Sequence, residues 1–506
     1  MIENIFNYND KFGDFEVGLM LGHSFQKMST RTSSIDGRGF PSPVFDTVGT
    51  ASEIYDASGG LSEFAMESYF GRISLSYLDR YILNMTMRTD GSSRFAPSDR
   101  YGYFPSVSLG WNVSKEPFWK FDRTDLKFRL SYGKTGNQDG IGNYAWQPLM
   151  SGGINYGNNS GMAVTSMGNN TLTWETADQY DFGFDLGFWN GKLNMIADVY
   201  LKNTNNLLYS MPLHGTSGFT SITNNIGSMR NYGVEFSING HMNLGKVNWT
   251  SSFNISHNKN KLTKLLGDDL LPIGSNRALK VGEELGAFYL FQMDGIYQYD
   301  GEVPQPLYDL GVRAGDVKYH DVDNNGIIND SDRVLTGSSN PDFFGGWNNT
   351  FKYKGFQLDV FFTYMYGNDV YAEWAVTATR PGYRMAITED AAKNRWTAPG
   401  SSNKYPRAVN TLCGHNSKNS TRFLEDGSFI RLRSLTFSYT FPQVMLQKIR
   451  MKGLRLYVQG DNLLLFSKYS GWDPEVSKNM DPQYFGVDLY GVPPSRSVNF
   501  GINLSF

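Results

Sequence analysis

Apolar and polar residues alternate along most of the chain. In the run Phe15-Glu-Val-Gly-Leu-Met-Leu-Gly, Phe15, Val17, Leu19 and Leu21 share one face, with Glu16, Gly18 and Gly22 opposite. Tyr81, Leu83, Met85 and Met87 stand against Asn84, Thr86 and Arg88. Tyr180, Phe182, Phe184, Leu186 and Phe188 stand against Asp181, Gly183 and Asp185. Leu193, Met195, Ala197, Val199 and Leu201 stand against Asn194, Asp198 and Lys202. The same rhythm runs through 69–77, 107–113, 126–132, 232–238, 247–255, 347–353, 356–364, 435–441 and 454–458, and closes on Val498, Phe500, Ile502, Leu504 and Phe506. A period of two is the signature of a strand with unlike faces.

The runs are about 9–13 residues long, which suits a tilted strand crossing a bilayer better than the usual globular strand of about 5–6. Alternation alone does not choose between a soluble sandwich and a membrane barrel. The connections do. Short turns at Asn9–Gly13, Leu78-Asp-Arg80, Asn190-Gly191, Asn243-Leu-Gly245 and Lys354-Gly355, with modest links at 114–125 and 442–453, alternate with long excursions. The excursions fall at 29–65, 90–102, 137–177, 204–228, 259–342, 368–428 and 466–495. Outer-membrane barrels keep short turns on the periplasmic side and long loops outside. The prediction is an all-β chain of about 15 antiparallel spanning strands. It starts with a partial strand at Ile2–Tyr8, and the apolar stretch Phe288–Phe291 belongs to the 259–342 excursion.

Composition agrees. Aromatics at 15% and 54 glycines fit a turn-rich β chain and exclude disorder. A lone Cys413 excludes a disulfide framework, and a net charge of −3 gives no basic footprint for nucleic acid. No apolar run is long enough for a transmembrane helix, and the opening Met1-Ile-Glu-Asn-Ile-Phe is not a secretory signal. No histidine sits in an HExxH context, no GxSxG elbow occurs, and Gly133-Lys-Thr135 has Phe128 where a phosphate loop needs glycine. The chain is therefore not expected to be an enzyme.

Two sets of residues are binding candidates. Asp321, Asp323, Asn325, Ile327 (through its carbonyl), Asn329 and Asp332 have the spacing of an EF-hand-like Ca²⁺ loop, with Gly326 at the sharp turn and Ile328 as a core anchor. An aspartate replaces the usual bidentate glutamate, and an Asn/Asp-rich turn without metal is the alternative. Trp146, Trp174, Trp374, Tyr383, Trp396, Trp472 and Tyr484 fall in or beside long excursions, where rings can stack on sugars or pack an interface. Asp181, Asp185, Asp198, Arg72, Arg88, Arg129 and Lys202 would line a wet lumen.

Several segments carry a family resemblance. They include Tyr69-Phe-Gly-Arg-Ile-Ser-Leu-Ser-Tyr-Leu-Asp-Arg-Tyr81, Tyr103-Phe-Pro-Ser-Val-Ser-Leu-Gly-Trp111, Leu130-Ser-Tyr-Gly-Lys-Thr-Gly-Asn-Gln138, Asn231-Tyr-Gly-Val-Glu-Phe236, Phe429-Ile-Arg-Leu-Arg-Ser-Leu435, Tyr469-Ser-Gly-Trp-Asp-Pro-Glu-Val476 and the ending Ser497–Phe506. In this order they resemble the SusC/RagA family of TonB-linked outer-membrane transporters of Bacteroidetes. The family pattern is a signal peptide, a small β-sandwich, a TonB box, a plug and a barrel of about 22 strands. Only the barrel's C-terminal portion, about strands 8–22, would be present here, with the plug absent. The resemblance implies an outer-membrane location and energy-coupled import of an oligomeric nutrient, glycan or peptide. It also implies a SusD-like surface lipoprotein as lid, coupling to TonB–ExbB–ExbD through the missing plug region, and contact with outer-membrane lipid and lipopolysaccharide. A terminal aromatic such as Phe506 is typical of substrates of the barrel-insertion machinery. A passive porin-like pore and a surface glycan-binding or adhesion barrel are the alternative functions.

Overall fold

The computed structural model describes residues 1–157, 159–265, 267, 270–382, 385–409, 414–447, 450–478 and 484–506. Fifteen strands form one sheet in which each pairs with its neighbour in the chain. They are β1 Ile2–Phe12, β2 Phe15–Arg38, β3 Glu53–Tyr77, β4 Tyr81–Ser92, β5 Tyr101–Asn112, β6 Thr124–Asn137, β7 Glu175–Phe188, β8 Leu193–Pro212, β9 Ser221–Leu244, β10 Val247–Leu265, β11 Phe343–Tyr353, β12 Phe356–Tyr366, β13 Phe429–Thr440, β14 Gly453–Ser467 and β15 Ser497–Ser505. β1 and β15 are the edge strands. Among the described residues no helix is long and apolar enough to cross a membrane.

The exposure pattern is inverted relative to a soluble sheet. Met87, Leu130, Phe182 and Phe437 are 48%, 52%, 48% and 46% exposed. Ser438, next to Phe437 but on the other face, is 1% exposed and accepts a hydrogen bond from Arg455. A continuous apolar surface of this extent has no place in water. It fits a sheet whose apolar face meets lipid and whose polar face meets water.

The chain divides into two compact units. The first comprises Met1–Lys120, Lys127–Phe182 and Leu201–Arg230. Its lipid-type face carries an aromatic row at the short-turn ends of the strands. Phe15–Tyr77, Tyr77–Tyr81, Trp111–Phe128 and Phe128–Phe182 have ring centroids 4.5, 6.4, 6.2 and 6.1 Å apart. Such amphipathic rings belong at the headgroup level. Gly22 lies opposite Phe70 across the β2–β3 ladder, and a Cβ there would sit 2.1 Å from that ring. The second unit, Phe121–Leu126, Gly183–Tyr200 and Asn231–Phe506, carries its own aromatic row, with Phe356–Tyr439 at 4.5 Å and Tyr439–Phe441 at 4.8 Å.

The predicted turns close as expected at Leu78-Asp79 and Lys354-Gly355, where all four residues have positive φ. Three boundaries move. β1 is a full strand to Phe12: its pairing with β2 continues past Tyr8 through Asn9–Gly18, Lys11–Glu16 and Phe12–Phe15 to a turn at Gly13-Asp14. The 29–65 excursion is mostly strand: β2 and β3 are 24 and 25 residues long and pair out to Arg38 and Glu53. Likewise 204–228 is largely taken up by β8 and β9. About 9–11 residues cross a bilayer, so much of each of these strands lies beyond it. Ladder hydrogen bonds hold such a ribbon together, and with water on both faces a segment such as Ser29-Thr-Arg-Thr-Ser-Ser34 has no reason to alternate.

Leu130→Arg places a charge at the middle of a strand on the lipid-type face, at a cost of about 2–4 kcal/mol near mid-bilayer. It is expected to abolish the heat-modifiable band on a gel, whereas Ser74→Arg on the polar face is expected to keep it.

Candidate functional site

The excursions of the second unit fold on one another. A four-stranded sheet takes Leu270–Ile273, Arg277–Lys280, Ala287–Phe291 and Arg333–Ser338 in that order, so Phe288–Phe291 does belong to the excursion. A three-stranded sheet joins Leu424–Asp426, Asp369–Ala372 and Val487–Asp488. Phe288, Leu290, Val370, Tyr371, Phe423 and Val487 bury one core between these segments. Buried polar links fix the arrangement. Arg277 donates to Ser339 Oγ and to the Phe485 carbonyl, and burial pulls its pKa down to about 10. Arg431 donates to Asp473 at 2.6 Å with each side chain 3% exposed. Tyr469 donates to Asp488 at 2.7 Å and accepts from Trp374 Nε1 at 3.0 Å.

The acidic loop sits on a second core. Ile328 is buried beside Phe291, Tyr297, Leu307, Val317 and Tyr319, as its position in the motif requires. The carboxylate oxygens of Asp321, Asp323 and Asp332 lie within 4.8 Å of one another. That span matches opposite ligands about 2.4 Å from one cation. Asn324 and Gly326 have φ of 57° and 77°, which gives the sharp turn. Asp332 is fully buried and accepts from the backbone N–H groups of Val322 and Asn329. Partial desolvation opposes ionisation of Asp321, but the N–H groups of Gly326 and Asn325 outweigh it and hold its pKa below the ordinary carboxylate value. The amides of the motif are used differently. Asn325 Oδ1 accepts from Ile327 N–H, and Asn329 Oδ1 accepts from Ser331 N–H in a capping box. The structure therefore brings together three carboxylates, while both amide oxygens are engaged by the loop itself.

The candidate aromatics scatter. Trp174 is 5% exposed, covered by Phe95 and Phe104, and donates to the Arg100 carbonyl. It is core and offers no ring face to a ligand. Its run Leu172-Thr-Trp174 looks like loop in sequence, because the partners that bury it come from residues 95–141. Trp374 and Tyr484 pack against the main outer core, and Trp396 donates to Gln298. Trp146 is half-buried and Trp472 stands 80% exposed. Tyr383 lies outside the described residues, as does Cys413. Lumen-type charges form local links, such as Arg88 to Asp90 at 2.8 Å. Sequence reasoning missed a cleft of about 460 Å³ lined by Lys404, Arg422 and Lys468 together with Asp390 and Glu425. Its residues come from separate stretches between 374 and 470, so no local motif announces it.

A family profile described as TonB dependent receptor-like, beta-barrel, matches residues 2–463. The chain belongs to the TonB-dependent receptor β-barrel family. It is 33% identical over 528 residues to TonB-dependent receptor P3 of Formosa agariphila, covering 100% of this chain and 52% of that protein. It is 32% identical over 470 residues to TonB-dependent receptor SusC of Bacteroides thetaiotaomicron, covering 87% of this chain and 43% of that one. The solved RagAB peptide transporter matches with a TM-score of 0.87 at 25% identity, over 100% of this chain and 55% of the other. The SusC/RagA resemblance thus holds, and with it an all-β outer-membrane barrel fold. The chain spans about half the length of the curated relatives it matches.

Removing both carboxylates that pair with Arg431, by Asp473→Ala and Glu475→Ala together, strands a buried guanidinium. The expected cost is about 3–5 kcal/mol. It should be read as earlier proteolytic cleavage within 466–495 at unchanged membrane assembly.

Proposed function

We propose that this TonB-dependent receptor chain forms part of an outer-membrane importer of oligosaccharides or peptides. In this reading it supplies about strands 8–22 of the barrel and the outer loops that receive the nutrient. A SusD-like lipoprotein covers those loops, and TonB–ExbB–ExbD act through a plug that lies outside this chain. What carries the reading is the end-to-end match to the RagAB peptide transporter together with the relative named SusC. The packed outer excursions support it, since a barrel that only conducts has no need of two buried cores above its strands.

The test is uptake of a labelled oligomer by cells with and without the gene, before and after collapse of the proton-motive force. Import is expected to need both the gene and the proton-motive force. Gene-dependent uptake that ignores the proton-motive force would instead mark a passive pore. Surface binding without uptake would mark an adhesin.

We propose in addition that Asp321, Asp323 and Asp332, with the Ile327 carbonyl, hold a structural Ca²⁺ in the outer loops. The support is the EF-hand-like spacing and the 4.8 Å clustering of the three carboxylates. Ca²⁺ is expected to protect residues 321–332 from protease in the native protein and not in the Asp321→Ala, Asp323→Ala double variant. Equal cleavage with and without Ca²⁺ in the native protein would refute the site.

A further inference from the structure

The cleft between the outer loops has an unbalanced charge. Arg422 has no ion pair among the described residues. Its Nη1 donates to the Asn416 carbonyl at 3.2 Å, and its Nη2 to the carbonyl and hydroxyl of Thr379 at 2.8 and 3.0 Å. Its remaining support is aromatic: Cζ lies 5.0 Å from the Phe423 ring centroid and 5.8 Å from that of Tyr405. Neutral carbonyls and ring faces satisfy a guanidinium only in part. Burial accordingly pulls its pKa down to about 10, which leaves it charged at any physiological pH. The Nε–H and one Nη1–H have no acceptor among the described residues.

Two more cations line the same cleft. Lys404 Nζ lies 4.8 Å from the centroid of the same Tyr405 ring, so that ring carries a cation from each of two segments. Lys468 is exposed at the rim. Hydrogen bonds from Ser428 hold the Asp426 carboxyl below the ordinary carboxylate value, and the charge of Lys468 adds to this. The acids of the cleft are already occupied. Asp390 accepts from Tyr405 Oη at 2.6 Å and from Asn394 at 2.5 Å, with Lys404 at 3.5 Å. Glu425 accepts the N–H and O–H of Ser470 at 2.8 and 2.7 Å. What faces the space is Arg422, Lys468 and the still negative Glu425, a surplus of one positive charge, with Trp374 and Phe423 as apolar wall.

We propose that this cleft binds a carboxylate of the incoming oligomer, with Arg422 taking a carboxylate oxygen, Lys468 the outer charge and the Trp374 side the neighbouring apolar surface. A carboxylate oxygen can accept from an unengaged N–H of Arg422 in a charge-assisted hydrogen bond. Its negative charge offsets that of Arg422, which has no ion pair among the described residues. The inference rests on the import reading and narrows it to acidic oligomers. A uronate sugar and an acidic peptide present the same group, and the probes separate these two sources.

The experiment is equilibrium binding to the full-length protein extracted from its native outer membrane in detergent. The probes are tetragalacturonate, its methyl ester, a tetraglutamate peptide and its tetraglutamine counterpart. At least one acidic probe is expected to bind 10-fold or more tighter than its neutral counterpart and to weaken as NaCl rises. Arg422→Gln and Lys468→Gln are each expected to weaken that probe 5-fold or more without changing the neutral one. Lys468 is exposed, so its variant reports on charge even if Arg422→Gln disturbs the loop packing. Equal binding of acidic and neutral probes, no binding of either acid, or acid binding untouched by Lys468→Gln would overturn the proposal. Energy-dependent uptake of a neutral oligomer alongside any of those results would leave the import reading standing and remove only the cleft assignment.

Discussion

Hydrocarbon offers no partner to a backbone N–H or C=O, so a chain that crosses it by strands must pair each of them with its neighbour. The rest of this structure follows from that constraint. The ladders run strand to strand down the chain, from the Ile2–Phe12 edge to the Ser497–Ser505 edge. Once the backbone is satisfied in this way, one face is free to carry Phe182, Leu130 and Phe437 outward and the other to carry Ser438 and the charges. The aromatic rows near the short turns follow in the same way, being the residues that tolerate both hydrocarbon and headgroup.

Beyond the bilayer the constraint relaxes and the chemistry changes. The excursions bury Phe288, Leu290, Tyr371 and Phe423 as a soluble domain would, and they fix themselves with buried polar links such as Arg431–Asp473. A buried ion pair contributes little net stability compared with apolar packing, but removing one partner is costly, so such pairs hold one arrangement against others. The loops therefore form a preformed surface over the strands. On that surface the acidic loop and the Arg422 cleft present opposite charges.

The sequence made the spanning strands legible because lipid on one face and water on the other enforce a period of two. Fifteen strands were expected and fifteen form the sheet. Where water lies on both faces the enforcement ends. The outer parts of the Phe15–Arg38 and Glu53–Tyr77 hairpin therefore read as loop, although their backbones stay paired. The site was legible only where its residues are neighbours in sequence. The 321–332 spacing gave the three-carboxylate cluster and the buried Ile328, while the use of Asn325 and Asn329 by the loop's own N–H groups is a property of its folded turns. Trp174 gave no sign of its burial, and the cleft assembled from Lys404, Arg422 and Lys468 had none to give, since contacts distant in sequence create both.

The central claim is that the apolar face of the sheet meets lipid and the polar face meets water. Spin labels placed one at a time from Leu83 to Arg88 in the reconstituted protein test it most directly, by relaxation with oxygen and with a water-soluble nickel complex. The account predicts a two-residue rhythm, with positions 83, 85 and 87 favouring oxygen and 84, 86 and 88 favouring nickel. A flat profile, or the opposite phase, would contradict it.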